Sequence, residues 1–518
     1  MGMLGSTRAW FRRVGSESGA PVPTVRNSGS SPYEAGAYTR RTRGWNAPTT
    51  SANQAILASL STLRDRSRAA TRNDGYAKGV IDKLVSNIIG TGIKPLSQAE
   101  DPKFRRDIQA LWLRWTYESD ADGLLDFEGQ QGQAVRTWLE AGEAFGRIRL
   151  RLPADGLSVP LQVQVLEPEL CPYQYNMFSS GLKVRAGIEF NLIGSRSAYY
   201  FYPSRPELDD FDPSQLRRLD AASVIHLYDP LRPGQLRGIP HLTQALVNLY
   251  ELDQYDDATL VRQKLANMFA GFIKRPADVG DLAELDTLTG LKADTHDGKP
   301  LASLEPGLMQ ELDPGEEVQW SNPPDAGPGY PDFMRQQLYG VSAATGVPYE
   351  VLTGDMRGVN DRVVRVLLNE FRGRVAAWQH SIVAQAFCRP IWRAWMDRVV
   401  LSGALAIPRA EYLRNPERWT AVKWTPPRVP YIQPVQDIEA QKAAIRSGLT
   451  SRSATVSEYG EDAEAIDTEQ AIDNQRADAL GLTYDTDPRK VSVAGLTQVQ
   501  PPGSVLPDDS GNSEGTQP

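Results

Sequence analysis

Three stretches carry side chains spaced for chemistry. In "ESDADGLLDFE", residues 118–128, Glu118, Asp120, Asp122, Gly123 and Asp126 fall on the spacing of a calcium loop between two predicted helices. Such a loop needs a bidentate glutamate six residues after its glycine, but Glu128 comes one residue early and Gly129 takes the place. A helical connection with solvated carboxylates accounts for the same letters, so Asp120, Asp122 and Asp126 are weak metal candidates and neither metal nor cofactor is assigned. "GNSEG", residues 511–515, matches the nucleophile elbow, yet it lies in a polar tail with no strand before it and no helix after it. "TGDMRGVNDR", residues 353–362, offers Arg357, Asn360 and Arg362, with Arg365 one turn further on. Guanidinium groups beside a glycine-bearing loop can meet phosphates; equally, they can solvate a helix start.

No other stretch adds a catalytic group. "GTGIKP" lacks the spacing that cradles phosphates. His226, His241, His296 and His380 are scattered without ligand spacing, and His226 in "VIHLYDP" reads as a hydrogen-bonded sheet residue. Cys171 and Cys388, the two cysteines, read as unpaired thiols in a reducing cytoplasm. With 56 Lys+Arg against 64 Asp+Glu, a net charge of −8 disfavours tight, static binding of nucleic acid but not passing contact. The opening "MGMLGSTRAWFRRVG" has no apolar core behind its arginines, and no run approaches the ~20 apolar residues of a membrane span, so a soluble protein is expected.

These residues need elements to hold them. Residues 1–48, rich in Gly, Ser, Pro and Arg, read as a flexible arm. Asn73 or Asp74 can cap a helix in which Val80, Ile81, Leu84, Val85 and Ile88 recur at helical spacing. Asp101-Pro102 opens another, with Phe104, Ile108, Trp112 and Trp115 on one face, and a further helix spans about 127–145. "GRIRLRL", "LQVQVLEPE", "VRAGIEFN", "AYYFYP" and "SVIHLYDP" then read as a mostly antiparallel sheet, making the front half α+β. A long helix is expected over 241–273, with the acidic centre "YELDQYDD" carrying Glu251, Asp253, Asp256 and Asp257. A loop-rich insert follows over 275–329, then a helix over 331–345. The last long helix, about 361–402, holds Pro390, which should kink it just upstream. The prolines of "WTPPRVPYIQP" then form an extended strap that leads into short polar helices to about 480 and a disordered tail.

Five of these stretches, in order, resemble the lambda-type portal proteins of tailed phages: "GWNAPTTSANQAI", "RSRAATRNDGYAKGVIDKLVSNIIGTGIKP", "DPLRPGQLRGIPHLTQAL", "GVPYEVLTGD" and "WTPPRVPYIQPVQDIEAQKAAIRSGLTSRS". The resemblance runs from about residue 40 to 480. One departure is local: Val429-Pro430-Tyr431 follows Arg428 in place of an acidic and aromatic run.

The resemblance implies a portal fold with a mixed α/β wing, long stem helices, a loop-rich clip insert, a kinked spine helix and a small helical crown. On this chain it implies a wing over 49–240, stem helices over 241–274 and 330–346, and a clip over 275–329. A tunnel loop would span 347–361, the spine and following segment 362–423, the strap and crown 424–482, and the tail 483–518. It further implies a dodecameric ring at one capsid vertex, part of the virion and assembled in the host cytoplasm, through which double-stranded DNA enters and leaves. Terminase large subunit, major capsid and scaffolding proteins, and head–tail adaptors are the implied partners, with no membrane and no catalysis. Arg357, Asn360, Arg362 and Arg365 would face the DNA from the tunnel loop, and Glu251, Asp253, Asp256 and Asp257 would line the stem bore. Two other readings stay open: a metal-dependent nucleic-acid-processing enzyme using Asp120–Asp126, and a monomeric cytoplasmic adaptor.

Overall fold

In a computed structural model, the described residues are 35, 40–45, 47–179, 182–204, 212–266, 271–274, 295–296, 299–300, 317–320, 329–428, 434–484, 486–487 and 489. Most of the expected arm, clip and tail, and the strap residues 429–433, lie outside them. The chain divides into two compact units, residues 1–55 and 56–518. In the first, the Trp45 N–H donates to the Thr42 carbonyl and closes a turn.

The second unit opens with α1 (Leu60–Asn73) and α2 (Gly75–Ile88), separated by Asp74, whose carboxylate caps α2 by accepting from the N–H groups of Tyr76 and Ala77. Strand β1 (Lys94–Ser97) precedes α3 (Pro102–Thr116), capped by Asp101 with Pro102 in the first turn. Next comes α4 (Phe127–Ala141), which ends earlier than its sequence suggests because Gly142 turns left-handed. A side chain there would collide with Ile239 and Pro240, and one at Gly238 would strike the Gly142 carbonyl, so two chains meet at backbone distance.

The expected single sheet is two. Strand β2 (Glu143–Leu150) is central to a three-stranded sheet between β3 (Leu161–Leu166) and β9 (Val224–Tyr228). Strands β4 (Met177–Ser179), β5 (Leu182–Arg185), β6 (Ile188–Phe190), β7 (Arg196–Phe201) and β8 (Arg217–Asp220) form a second, consecutive sheet, and every pairing in both is antiparallel. Alternation along β2 explains the division. Ala144 and Ile148 face the helices, whereas Glu143 and Phe145 face the second sheet, where Phe145 meets Tyr199 and Phe201 edge-on.

The expected 241–273 helix is shorter. A 3-10 turn at His241–Gln244 leads into α5 (Leu246–Ala266), and Gly271–Lys274 is already a strand, β10, paired with β11 (Glu317–Trp320). A 21-residue helix spans roughly 31 Å rather than the 45–50 Å that the longer one would need. Helix α6 (Tyr330–Thr345) lies where the sequence puts it and is followed by the short α7 (Tyr349–Thr353).

The long helix also holds, with a different accommodation of Pro390. It runs as α8 (Asp361–Trp378), a π-helical stretch over Gln379–Cys388, and α9 (Arg389–Ser402). Proline has no N–H for the residue four back, and the Arg389 N–H instead reaches the Ala384 carbonyl, five back. The hydrogen-bond register widens ahead of the proline, so the helix continues through it. The inward aromatics fill the main core: Trp112 contacts Trp115, Phe127, Trp392 and Trp395 at ring separations of 4.8–5.2 Å. The first strap residues are not a free extended segment. Val422–Thr425 form β12, paired with β1, and Trp424 meets Trp392 edge-on. Helices α10 (Pro434–Arg446), α11 (Arg452–Glu458) and α12 (Ala463–Leu480) complete the unit.

One polar cluster ties these parts together. Glu143 has no exposed surface, and its Oε1 accepts from Arg237 Nε at 2.7 Å and from the Arg64 guanidinium of α1. Its Oε2 accepts from His226 Nε2 at 2.9 Å and from the Gly238 N–H at 3.0 Å. Arg237 spends its other donors on the carbonyls of Pro168, Cys171 and Ala186 in the second sheet's loops. Ala186 is held at φ 52, left-handed and unfavourable for a residue with a Cβ.

The pH dependence follows from this cluster. Arg196 Nη1 can only donate to His226 Nδ1, so Nε2 carries the imidazole proton and donates it to Glu143. Burial lowers the His226 pKa from 6.5 to about 4. Burial would raise the Glu143 carboxyl, but the charges of Arg237 and Arg64 outweigh it and hold the group well below 4.5. Both bind fewer protons folded than unfolded, so each stabilises at neutral pH and loses that contribution on acidification. The loss begins as pH falls below 6.5 for His226 and below 4.5 for Glu143. In urea melts, His226→Gln is expected to flatten the pH 6.5 to 4 part of the stability curve, a swing of up to about 3 kcal/mol. Glu143→Gln, which leaves two buried arginines without a carboxylate, is expected to lower stability by about 3–5 kcal/mol at neutral pH.

Candidate functional site

Helices α5 and α6 pack antiparallel. Tyr255 stacks on Tyr330 and touches Phe333, Asn248 Nδ2 donates to the Gln337 carbonyl at 3.3 Å, and Leu252, Leu338 and Tyr349 form a small core between them. The Tyr330 hydroxyl donates to the Asp256 carboxylate, which pushes the phenol pKa up to about 12. The outward sides are not purely polar. Val247, Tyr250, Leu260 and Val261 of α5 are exposed, as are Phe333 and Tyr339 of α6. A helix apolar on several faces is one with further surfaces to bury.

The four acidic positions of α5 divide. Glu251, Asp253 and Asp257 are exposed and Asp256 is half-buried against Tyr330. At about 100° per residue, Asp253, Asp256 and Asp257 share one half of the helix and Glu251 lies on the other. They form a broken column.

The loop after α7 is anchored by a residue that the sequence reading passed over. Asp355 accepts from the Arg357 backbone N–H, from Arg357 Nε at 2.8 Å, from Arg335 Nη2 of α6 at 2.9 Å and from the Tyr349 hydroxyl at 3.0 Å. These hydrogen bonds, the Arg357 side chain's first, hold its carboxyl far below the usual range. Gly354 and Gly358 bracket the loop at φ 73 and 75, where a Cβ would be strained. Arg357 is 75% exposed with its donors folded back on Asp355, so the loop is fastened to the α5–α6 pair. Asn360 accepts from the Val363 N–H and caps α8, a structural use of a residue expected to face DNA. Arg362 is exposed on the first turn of α8, and Arg365 is half-buried beside Asp361 at 3.4 Å. Arg357, Arg362 and Arg365 thus lie at one end of the structure's longest helix, with Arg357 alone in the loop proper.

The carboxylates at 118–128 do not converge. Buried Asp120 accepts from the N–H groups of Asp122, Leu124 and Leu125 and from Gln130 Nε2. Asp122 accepts from Gln164 Nε2 at 3.0 Å, and Asp126 caps α4 through the Gly129 N–H at 2.7 Å. Each is occupied in shaping the turn between α3 and α4. Among the described residues, no group of three His, Cys, Asp or Glu is placed to hold a metal ion. The reading that would have used them in a nuclease has no assembled site there. The same residues contain no helix long and apolar enough to cross a membrane.

Comparison with known proteins adds an independent line. Residues 38–379 match the model of a family described as phage portal protein, lambda family. A probable portal protein of Halomonas phage phiHAP-1 is 24% identical over 536 aligned residues, covering 100% of both chains. The portal protein of Escherichia phage N15 is 21% identical over 86% of this chain and 90% of its own. Portal protein B of Escherichia phage lambda is 22% identical over 85% and 88%, respectively.

The Asp355 anchor is open to a direct check. Asp355→Ala is expected to raise amide hydrogen exchange across residues 354–360 by at least about tenfold, with the melting of the remaining chain unchanged. Equal protection in both proteins would assign the loop's order to its glycine turns alone.

Proposed function

Since the chain belongs to the lambda family of phage portal proteins and has a portal role at the capsid vertex of the virion, we propose that its subunits close into a ring, dodecameric as in the resemblance, whose bore carries double-stranded DNA during packaging and ejection. The family match over residues 38–379, reaching from the first unit through α8, carries this reading.

In it, α5 and α6 are the stem, and their outward Val247, Tyr250, Leu260, Val261, Phe333 and Tyr339 are the surfaces that neighbouring subunits bury. That use of exposed apolar side chains weighs against a monomeric adaptor. The 354–360 loop reaches the DNA, and Arg357 exchanges its Asp355 partner for a passing phosphate. Arg362 and Arg365 add weaker contact behind it, while Asn360 sets the helix from which they project. Acidic stem residues Asp253 and Asp257, exposed on one half of α5, repel the duplex, while Glu251 on the other half does not share their face. A uniformly basic bore would bind phosphates by releasing counterions and stall it. With a net charge of −8 the chain as a whole does not hold DNA, so contact is brief.

The β10–β11 pair and the insert around it are the clip, docking terminase during packaging and head–tail adaptors afterwards. Helix α8 through α9 is the wing's spine. The strap and α10–α12 are the crown toward the capsid interior, near the scaffolding and major capsid proteins. Assembly takes place in the host cytoplasm.

Light scattering with electron microscopy of the same peak tests the ring. Particles of about a dozen chains around an open centre are expected. Leu260→Asp/Val261→Asp, which charges the outward stem face, is expected to leave circular dichroism unchanged while shifting most of the protein to monomers or small oligomers. A variant that still forms full rings would remove that face from the subunit contact.

A further inference from the structure

The face of β2 that holds Glu143 and Phe145 continues past the core into Arg147 and Arg149. Alternate residues of a strand share a face, so these two guanidinium stems leave the sheet about 6.7 Å apart. Across the strand pair, Arg147 is opposite Gln164 and Arg149 is opposite Gln162, both with amide side chains. Arg217, exposed at the start of β8, is close enough to Arg147 for their charges to interact.

Nearby charges cancel in pairs: Arg151 with Asp155, and Arg218 with Glu189 and Asp220. Arg147, Arg149 and Arg217 make no ion pair among the described residues; Arg149 Nη1 has only the Gln164 Oε1, at 3.3 Å. The other end of that Gln164 amide donates to the Asp122 carboxylate. Partial burial, then the like charges of Arg149 and Arg217, lower the Arg147 pKa. On an acidic chain, Arg147 with like charges from Arg149 on its own strand and Arg217 on the adjoining sheet is an unneutralised local charge.

We propose that this face, Arg147, Arg149 and Arg217 flanked by Gln162 and Gln164, is a second nucleic-acid contact, binding the phosphate backbone of duplex DNA outside the bore. Three features favour phosphates over an acidic peptide. The cations are arginines, whose planar fork suits phosphate oxygens. Two of them recur at every second residue of β2, as phosphates recur along a backbone, and Arg217 of β8 extends the row from the second sheet. Ile148 and Leu150 point to the opposite side by alternation, and Val224, opposite Arg147 on β9, is half-buried, so the face offers little of the apolar surface a peptide anchor needs. No base-reading groove element is present, so binding should be indifferent to sequence.

The inference rests on the portal reading for the identity of the duplex, and the test separates the two. A covalently closed circular duplex cannot thread a closed ring, so its retention by assembled rings reports an outer face. Rings with wild-type sequence are expected to bind the circle, with a steep salt dependence. Arg147→Gln/Arg149→Gln/Arg217→Gln should lower the slope of log K against log salt by about 2–3, near 0.9 per lost phosphate contact. Replacing the same residues by lysine should restore most of the slope. Arg357→Gln/Arg362→Gln should leave circle binding unchanged. If the triple variant does not assemble, Arg217→Gln alone, at an exposed site, should still lower the slope by about 0.9. Rings that ignore the circle, or a slope unmoved by these changes, would overturn the proposal, as would binding of polyglutamate in place of the circle, which would mark an acidic protein partner. Electron microscopy of the same samples reports independently whether rings form, so the portal reading stands or falls separately.

Discussion

The Glu143 carboxylate is removed from water completely, and much of the 56–518 unit is arranged to compensate it. Arg237 must enter the core, which draws residues 235–240 against Gly142 so tightly that neither Gly142 nor Gly238 has room for a side chain. Arg237 then has donors left over, and the carbonyls that satisfy them belong to the loops of the second sheet. Arg64 brings α1 and His226 brings β9 to the same carboxylate. Well-packed apolar residues can stabilise such a site equally well. What the polar cluster adds is uniqueness, because only one docking of the two sheets satisfies all its donors at once.

Away from that cluster the same rule sets the surface character. Several cations are held by nearby carboxylates: Arg357 by Asp355, Arg365 by Asp361, Arg136 by Asp82 and Glu140, Arg68 by Glu169. Such exposed pairs add little stability, but they hide positive charge from a passing polyanion. The charge that remains available is therefore a matter of geometry, and the overall balance does not reveal it.

Much of the architecture was legible in the sequence. The cap at Asp101 and one of the two cap candidates at Asn73-Asp74, the strands from "GRIRLRL" onward, α6 and the long final helix all follow from spacing and local chemistry. The misses have physical causes. Periodicity alone could not end α5 early, because strand β10 is defined by its partner β11, over forty residues away. Strand β1 was invisible for the same reason, its partner lying near residue 424. Among candidate site residues, Asn360 and Asp126 carry cap signatures that compete with any ligand role, and the structure uses the caps. The Glu143 cluster left one trace: Glu143 shares a strand face with Phe145, and that face points into a core. A polar residue on an inward register needs a buried partner, and "LRGIP" supplied it from another segment.

Strand β1 pairs with β12, more than 300 positions later in the chain, and Trp424 of that strand meets Trp392 in the main core. A ribosome releases the partner only after α5, α6 and the long helix have been made, so the β1 edge stays open through most of synthesis. Until then the Trp112–Trp392–Trp395 cluster lacks its cover on one side. A chain broken off before residue 422 would retain α1–α9 and β1–β11, yet would lack both the strand that pairs with β1 and the Trp424 ring against Trp392. The order of that edge therefore waits for a segment made late in synthesis, although every residue of β1 is made early.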